Sequence, residues 1–308
     1  MTARALSVRA LLPLAVVTLL VPVVATREDV AAQGGVDKSL YISVLDAAGS
    51  PVKDVVADDI LIREDGADRQ VVAVKAAMQP ISVAVLVDTA QGTRVTDAYG
   101  TPEDYVRDIR KAVGAFGKTL LGQSPNAVVS LTEFGQAAIT MVPFTSNPMD
   151  YDKGVNRLVA RPGVGSVLLE ALSQANNDLA KQPSTRRAIV SLNLEPSDEQ
   201  SREDPSKIKE AFRKSGAQLW AVSVQRGGLK ASKRDLVLND FATATGGQRD
   251  FVVGISAVEG IMKRYADALT YQYEVVYKRP ESNKATRVIQ LGTTRQGVKL
   301  HASGFAPQ

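Results

Sequence analysis

Strand and helix patterns alternate through the middle of the chain. The segment ISVAVLV, from Ile81 to Val87, is apolar except at Ser82, as in strands that are buried on both faces. The apolar residues of the next segment, 102–122, recur at every third or fourth position: Tyr105, Ile109, Val113, Phe116 and Leu120. This spacing predicts an amphipathic helix. Further strands and helices follow as far as residue 270, so the pattern predicts an α/β fold with a doubly wound, mostly parallel six-stranded sheet.

Alternating segments on both sides of this region predict short β-strands. Before it, Leu40, Ile42 and Val44 share one face, and the strand around Ile60 is followed by an EDGADR turn, with residues 71–74 as the expected return strand. After it, the YEVVY, VIQL and VKLHA segments alternate in the same way. Neither flank can bury an apolar face alone. We therefore expect the two flanks to pair in a small β-sandwich-like module. The predicted boundaries are 36–76 for the N-terminal β module, 79–270 for the α/β domain and 271–308 for the C-terminal strands.

The N-terminus has the layout of a secretory signal peptide. Arg4 and Arg9 precede an apolar run that closes on small residues, with cleavage expected after Ala25 or, alternatively, after Ala32. An uncleaved anchor is the alternative, because roughly 16 apolar residues approach the lower limit for a membrane span. We expect residues 1–25 to be removed and the protein to be exported, either periplasmic or secreted, without stable membrane insertion.

Composition excludes several classes of function. The chain has no cysteine and a single histidine, His301, which is expected to be exposed on the final strand. Thiol chemistry, histidine-based catalytic pairs and multi-histidine metal sites are therefore excluded. The formal charge of +4 falls to +2 once Arg4 and Arg9 are removed, which is too weak for nucleic acid. No G-x-S-x-G motif occurs, so we expect no catalytic residues, no small-molecule substrate and no enzyme activity.

Six stretches in order resemble the von Willebrand factor type A family, and in particular bacterial exported members that carry a β module before the A domain. The stretches are LYISVLDAAGSPVKDVVADDILIREDGADRQ, ISVAVLVDTAQGT, GVGSVLLEAL, RRAIVSLNLEPSDEQS, LNDFATATGGQRDF and YQYEVVYKRP. The resemblance implies a Rossmann-like α/β domain at 79–270 and covers nearly the whole chain after the leader.

The resemblance also implies a position for a metal-ion-dependent adhesion site, in which a D-x-S-x-S loop, a threonine and a second aspartate hold one divalent cation. The corresponding positions in this chain are Asp88, Ala90, Gly92, Ser166 and Asn193. Two hydroxyl ligands are missing and one carboxylate is replaced by an amide, so the site is degenerate and we expect no cofactor and no metal. Mg²⁺ in an altered site is the alternative, with Thr89, Thr93, Glu195 or Asp198 as substitute ligands after a register shift.

Other polar motifs have simpler interpretations. Asp88 is interpreted either as a partner contact or as a strand-end carboxylate that accepts hydrogen bonds from its own loop and from Ser166. Ser166 is also expected to cap the helix at 167–181. The acidic motifs EDGAD and SDEQSRED are interpreted as solvated turns, and the pairs Arg186–Arg187 and Lys233–Arg234 as solvated edges. Trp220 is expected in the core.

The expected function is that of an exported, non-enzymatic protein-interaction or adhesion module. A protein partner would bind the loops at the ends of the strands. The candidate partner-binding residues are Asp88, Thr89, Gln91, Thr93, Ser166, Asn193 and Glu195. Mg²⁺-dependent adhesion and a structural role in the cell envelope without a ligand site are the alternatives.

Overall fold

The computed structural model describes residues 35–91, 102–225, 232–281 and 288–307. The predicted leader, Gly92 and Thr93 lie outside these ranges. The strands are β1 (Gly35–Asp46), β2 (Ile60–Glu64), β3 (Ala67–Arg69), β4 (Val71–Ala76), β5 (Ile81–Asp88), β6 (Ala90–Gln91), β7 (Val128–Phe134), β8 (Ala138–Thr145), β9 (Arg161–Pro162), β10 (Arg186–Glu195), β11 (Gln218–Gln225), β12 (Gln248–Val252), β13 (Tyr273–Pro280), β14 (Ile289–Thr293) and β15 (Val298–Ala302). The helices are α1 (Pro102–Gln123), α2 (Pro148–Val155), α3 (Leu168–Ala180), α4 (Pro205–Ser215), α5 (Lys233–Thr245) and α6 (Val258–Thr270). Among the described residues, no helix combines the length and apolarity needed to span a membrane.

A six-stranded sheet forms the centre of the α/β domain. Its strand order is β12-β11-β10-β5-β7-β8, and only the edge strand β8 runs antiparallel to its neighbour. All eight residues of β5 are buried, as its predominantly apolar sequence predicts. Helices α1, α2 and α6 pack on one face of the sheet, and α3, α4 and α5 pack on the other. The predicted doubly wound fold is therefore confirmed.

Local sequence signals determine where the helices begin and end. The Asp204 side chain accepts a hydrogen bond from the Ser206 N–H (2.9 Å) at the start of α4, and Pro205 occupies the first helical position. Helix α5 ends at Gly246, whose φ of +70° lies in the left-handed region. A Cβ atom at Gly246 would lie 1.8 Å from the carbonyl carbon of Ala302, so only glycine fits there.

The flanking segments form two antiparallel sheets that pack around a shared apolar core. One sheet has the order β15-β1-β13-β4, and the other has the order β14-β2-β3. Strand β1 pairs with β13 from Gly35↔Pro280 to Ile42↔Tyr273, so the N-terminal and C-terminal segments complete one β module. The buried residues of this module include Ile42, Val44 and Val275. The β module added to the α/β domain is thus also as predicted.

The predicted hairpin partner within residues 60–74 is wrong. Asp65 and Gly66 both have positive φ, 47° and 85°, and they close a tight two-residue turn. The return strand therefore begins at once as β3, with Glu64 paired to Ala67. Strand β4, which contains residues 71–74, instead pairs with β13 in the other sheet. Because the turn comes early, β3 completes the hairpin with β2, and β4 pairs in the other sheet.

Arg186 is buried, which contradicts its predicted place on a solvated edge. It begins β10 at the amino edge of the sheet, the edge at which the parallel strands start, and it is 4% exposed. Its guanidinium donates to the carbonyl oxygens of Ala77 (3.2 Å), Gln79 (2.7 Å) and Leu269 (2.7 Å) and to Oε1 of Gln272 (3.4 Å). One side chain thus joins the linker before β5, the end of α6 and the start of β13. Burial lowers the pKa of Arg186 to about 10, so the side chain stays charged at neutral pH.

We expect Arg186→Met to lower the free energy of unfolding by about 2–4 kcal/mol, because the three carbonyl groups lose their donor inside the protein. Urea unfolding measures the change. The matched control is Arg107→Met on α1, where the arginine side chain is 69% exposed and the expected change stays within about 0.5 kcal/mol. Equal losses in the two variants would contradict the role assigned to Arg186.

Candidate functional site at the carboxyl edge of the sheet

The carboxyl edge, at which the parallel strands end, brings distant polar residues together. Val87 of β5 pairs with Leu192 of β10, so the next residues along the two strands, Asp88 and Asn193, lie side by side. Glu195 ends β10 two residues later. The crevice outside the carboxyl ends of the strands is the usual place for a binding site in doubly wound sheets.

Arg234 supplies a cation to this edge from the first turn of α5. Its Nη2 lies 2.6 Å from Oδ2 of Asp88 and 3.2 Å from Oδ1 of Asn193. Its Nε lies 3.5 Å from Oε1 of Glu195 and 3.6 Å from Oε2 of Glu199, a residue of the loop between β10 and α4. We call these five residues the Arg234 cluster. The side chains of Arg234 and Asp88 are 1% and 0% exposed, so the pair is withdrawn from water.

A second layer of contacts positions Arg234. Ser232 caps α5 by accepting from the Asp235 N–H (3.1 Å), and Asp235 in turn accepts from the Ser232 N–H (2.8 Å). Arg249 forms an ion pair with the Asp235 carboxylate and donates to the Asp235 carbonyl oxygen (2.8 Å). The Phe134 ring centroid lies 5.4 Å from the guanidinium carbon of Arg234. The start of α5 is therefore fixed on several sides.

The electrostatics of the cluster favour a charged Arg234. Burial opposes its charge, but the carboxylates of Asp88, Glu195 and Glu199 outweigh burial and hold the pKa of Arg234 above its ordinary value. For Glu195, in contrast, the environment favours the neutral form. Burial raises the pKa of Glu195 to about 7, with Arg234 lowering it and the charges of Asp235 and Asp88 raising it further.

Asp88 accepts a hydrogen bond from its own loop, as predicted, but the predicted hydrogen bond from Ser166 is wrong. Oδ1 of Asp88 accepts a hydrogen bond from the Ala90 N–H (3.0 Å), and Oδ2 accepts a long one from the Leu194 N–H (3.4 Å). The buried Ser166 hydroxyl has no hydrogen-bond partner among the described residues. The main partner of Asp88 is Arg234, a residue that the sequence analysis placed on a solvated edge.

Ser166 also does not cap α3. Val167 occupies the capping position and makes no side-chain cap. The first amide groups of α3 donate instead to the loop after β10: Leu168 N–H to Oε1 of Glu199 (3.1 Å) and Leu169 N–H to Oγ of Ser201 (2.9 Å). The SDEQSRED motif, which was interpreted as a solvated turn, therefore caps one helix and contributes Glu199 to the Arg234 cluster.

The helical spacing of α5 contains the signal that would have revealed Arg234. Arg234 precedes Leu238, Phe241 and Thr245 at intervals of four, three and four residues, and all four are buried. A cation in register with an apolar helix face needs a buried anionic partner. Asp88, at the end of a predominantly apolar strand, is the matching candidate.

The candidate partner-binding residues lie mainly beneath the surface. Five of them are at most 2% exposed: Asp88, Thr89, Ser166, Asn193 and Glu195. Gln91 pairs through its backbone with Pro162, and Thr93 lies outside the described residues. The five buried residues lie beneath the surface of the carboxyl edge, so their side chains are not accessible to a partner.

The described residues at this edge do not fit a divalent cation. Mg²⁺ requires about six oxygen ligands in octahedral geometry. Ala90 offers no side-chain oxygen, and the oxygens of Asp88 and Asn193 already face Arg234. A second cation in the same place would be repelled by the guanidinium. Within the described ranges, no three histidine, aspartate or glutamate side chains are arranged to hold a metal ion together.

His301 lies at the opposite edge of the sheet and is half-buried, so the prediction of an exposed histidine is wrong. Its Nδ1 is 3.0 Å from the carbonyl oxygen of Gly247, and its ring centroid lies 5.3 Å from that of Trp220. Trp220 is fully buried, as expected. The β module covers this region of the α/β domain, and His301 is partly shielded from solvent.

Comparisons with solved structures give matches of fold at low sequence identity. Proximal thread matrix protein 1 from the mussel byssus matches with a TM-score of 0.50 at 10% identity, over 67% of this chain and 51% of its own, so this chain spans about half of its length. The von Willebrand factor type A structure from Catenulispora acidiphila matches with a TM-score of 0.49 at 11% identity, over 90% and 74% of the two chains. BatB from Bacteroides thetaiotaomicron matches with a TM-score of 0.44 at 16% identity, over 61% and 98%.

No protein-family model matches the sequence, and no curated protein matches it. The strand order, the antiparallel edge strand and the two helical layers define a doubly wound α/β domain. The described residues therefore have a doubly wound α/β fold with an added β module, which is the architecture that the resemblance implies.

We expect Glu195→Gln to change how stability depends on pH. A carboxyl group whose pKa rises from 4.5 to about 7 on folding stabilises the fold fully below pH 4.5 and loses that contribution as the pH rises to about 7. The variant lacks this loss. The free energy of unfolding of the variant, relative to that of the wild type, should therefore increase by up to about 3 kcal/mol between pH 4.5 and pH 8.

Urea unfolding at a series of pH values measures this difference. Glu203→Gln, at an exposed glutamate in the loop before α4, is the control and should keep a constant offset from the wild type. A constant offset for Glu195→Gln as well would show that Glu195 has an ordinary pKa in the folded protein.

Proposed function

We propose that the protein is an exported, non-enzymatic interaction module that binds a protein partner through the loops at the carboxyl edge, without a divalent cation. The observation that carries this proposal is the buried Arg234–Asp88 pair. It fills the position at which a ligand would reach the strand ends and leaves the surrounding loops as the available surface.

The surface above the cluster has the mixed character of a protein-binding face. Leu236 in the first turn of α5 is 64% exposed. Gln136, Asp198 and Gln200 are exposed on the neighbouring loops. Apolar and amide side chains over a rigid base suit a protein partner.

The distribution of reactive groups supports a non-enzymatic role. The chain has no cysteine, and its single histidine, His301, contacts Gly247 at the amino edge. A hydroxyl nucleophile at the carboxyl edge, such as that of Ser166, would therefore have no histidine base. The charged groups of the Arg234 cluster are buried against one another and support the loops.

We expect a double substitution at the carboxyl edge, Gln136→Arg with Leu236→Asp, to abolish capture of the protein's partner from envelope extract in the presence of chelator. The matched control, Gln123→Arg with Met78→Asp, makes the same changes at the amino edge, where Met78 is 85% exposed, and should leave capture intact. Quantitative mass spectrometry of the captured proteins compares the variants with the wild type.

Three other results would contradict the proposal. Loss of capture by chelator alone would favour Mg²⁺-dependent adhesion. Loss in the amino-edge variant alone would place the binding face at the opposite end of the sheet. Identical sets of captured proteins for both variants and the wild type would favour a structural envelope component that does not use the carboxyl edge.

A further inference from the structure

We propose that the Arg234 guanidinium is a permanent, covalently attached cation at the carboxyl edge. It takes the charge role that a divalent ion has in the adhesion site of this fold, and the edge therefore excludes divalent cations. The inference deepens the proposed function by naming the residue that makes the edge independent of metal.

The oxygen atoms around Arg234 converge from separate parts of the chain. Asp88 comes from β5, Asn193 and Glu195 come from β10, and Glu199 comes from the following loop. Their oxygens lie 2.6–3.6 Å from nitrogen atoms of one guanidinium. Arg234 thus joins loops that the strand order brings together. Among the contacts described for the cluster, it is the cation that these loops share. This is the geometric role of a central ion.

The Arg234 guanidinium is surrounded by several carboxylates and does not form a bidentate salt bridge with any one of them. Only Nη2 makes hydrogen bonds within the described residues, and Nε and Nη1 make none. Nε nevertheless lies within ion-pair distance of Glu195 and Glu199. Charge on several sides, without a full set of directional bonds, stabilises Arg234 mainly through electrostatic attraction.

The position of Arg234 in its helix opposes the helix dipole. It is the second residue of α5, and the partial positive charge at a helix N-terminus disfavours a cation there. Helical preference therefore does not explain the buried arginine. The carboxylates do, because their charges outweigh the effect of burial and raise the pKa of Arg234.

The test uses the isolated mature protein, freed of metal by chelation, so its result is independent of any partner. We expect the melting temperature of the wild type to be unchanged by about 10 mM Mn²⁺ or Mg²⁺. Arg234→Ala should melt at a lower temperature, because it leaves buried carboxylates without a cation. Mn²⁺ should raise the melting temperature of this variant, with binding at least roughly tenfold tighter than to the wild type.

Two further variants separate charge from packing. Arg234→Lys keeps a cation and should remain unresponsive to Mn²⁺. Arg249→Ala removes a second arginine near this edge, whose side chain is 3% exposed and paired with Asp235, and should lower stability without creating a response to Mn²⁺.

Two results would overturn the proposal. The first is saturable Mn²⁺ binding to the wild type, measured by water proton relaxation and lost in Asp88→Asn. The second is an Arg234→Ala variant that responds to Mn²⁺ no more than Arg249→Ala. If Arg234→Ala does not fold, Arg234→Lys and Arg234→Met decide the matter. The proposal requires the lysine variant to be the more stable, and equal stability of the two would refute it.

Discussion

A fully buried carboxylate at the end of a central strand requires a cation, and this requirement shapes the carboxyl edge. Asp88 is 0% exposed, and the two backbone amides that reach it compensate only part of the free energy of removing its charge from water. Arg234 supplies the remainder from a helix that begins nearly 150 residues later in the chain. Two contacts fix the start of α5, the helix that carries Arg234: Ser232 caps the helix, and Arg249 pairs with Asp235. Both contacts hold the guanidinium in place beside Asp88.

A covalently attached cation differs from a bound metal ion in ways that bear on function. It is present whenever the protein is folded, it cannot be removed by chelators, and it carries one charge where Mg²⁺ carries two. The lower charge suits an edge at which Asn193 is neutral and the pKa of Glu195 is raised to about 7, which reduces the negative charge near neutral pH. A guanidinium also has no open coordination position, so a partner cannot bind it as a metal ligand. Under the proposed function, a partner is therefore recognised by the loops of this edge.

Sequence reasoning predicted what strand geometry determines and missed what tertiary contact determines. The resemblance implies that Asp88 and Asn193 lie together, and the structure accounts for this because two neighbouring parallel strands end at one edge. The absence of a side-chain hydroxyl at Ala90 is visible in the sequence itself. Arg234 was missed because arginine is usually solvated, and the spacing that aligns it with Leu238 and Phe241 was not used. Strand β4 was assigned to the wrong partner because hairpin length depends on backbone angles at Asp65 and Gly66, which the residue types only suggest.

Arg186 and Arg234 are both buried, at opposite edges of the sheet, but the two arginines have different roles. At the amino edge Arg186 donates to backbone carbonyls, which are neutral, and burial lowers its pKa to about 10. At the carboxyl edge Arg234 faces carboxylates, and its pKa rises despite complete burial. The first arginine satisfies acceptors and joins chain segments, so its charge is incidental to its role. The second neutralises an anionic cluster, so its charge is the role. A neutral donor could in principle replace Arg186, whereas only another cation could replace Arg234.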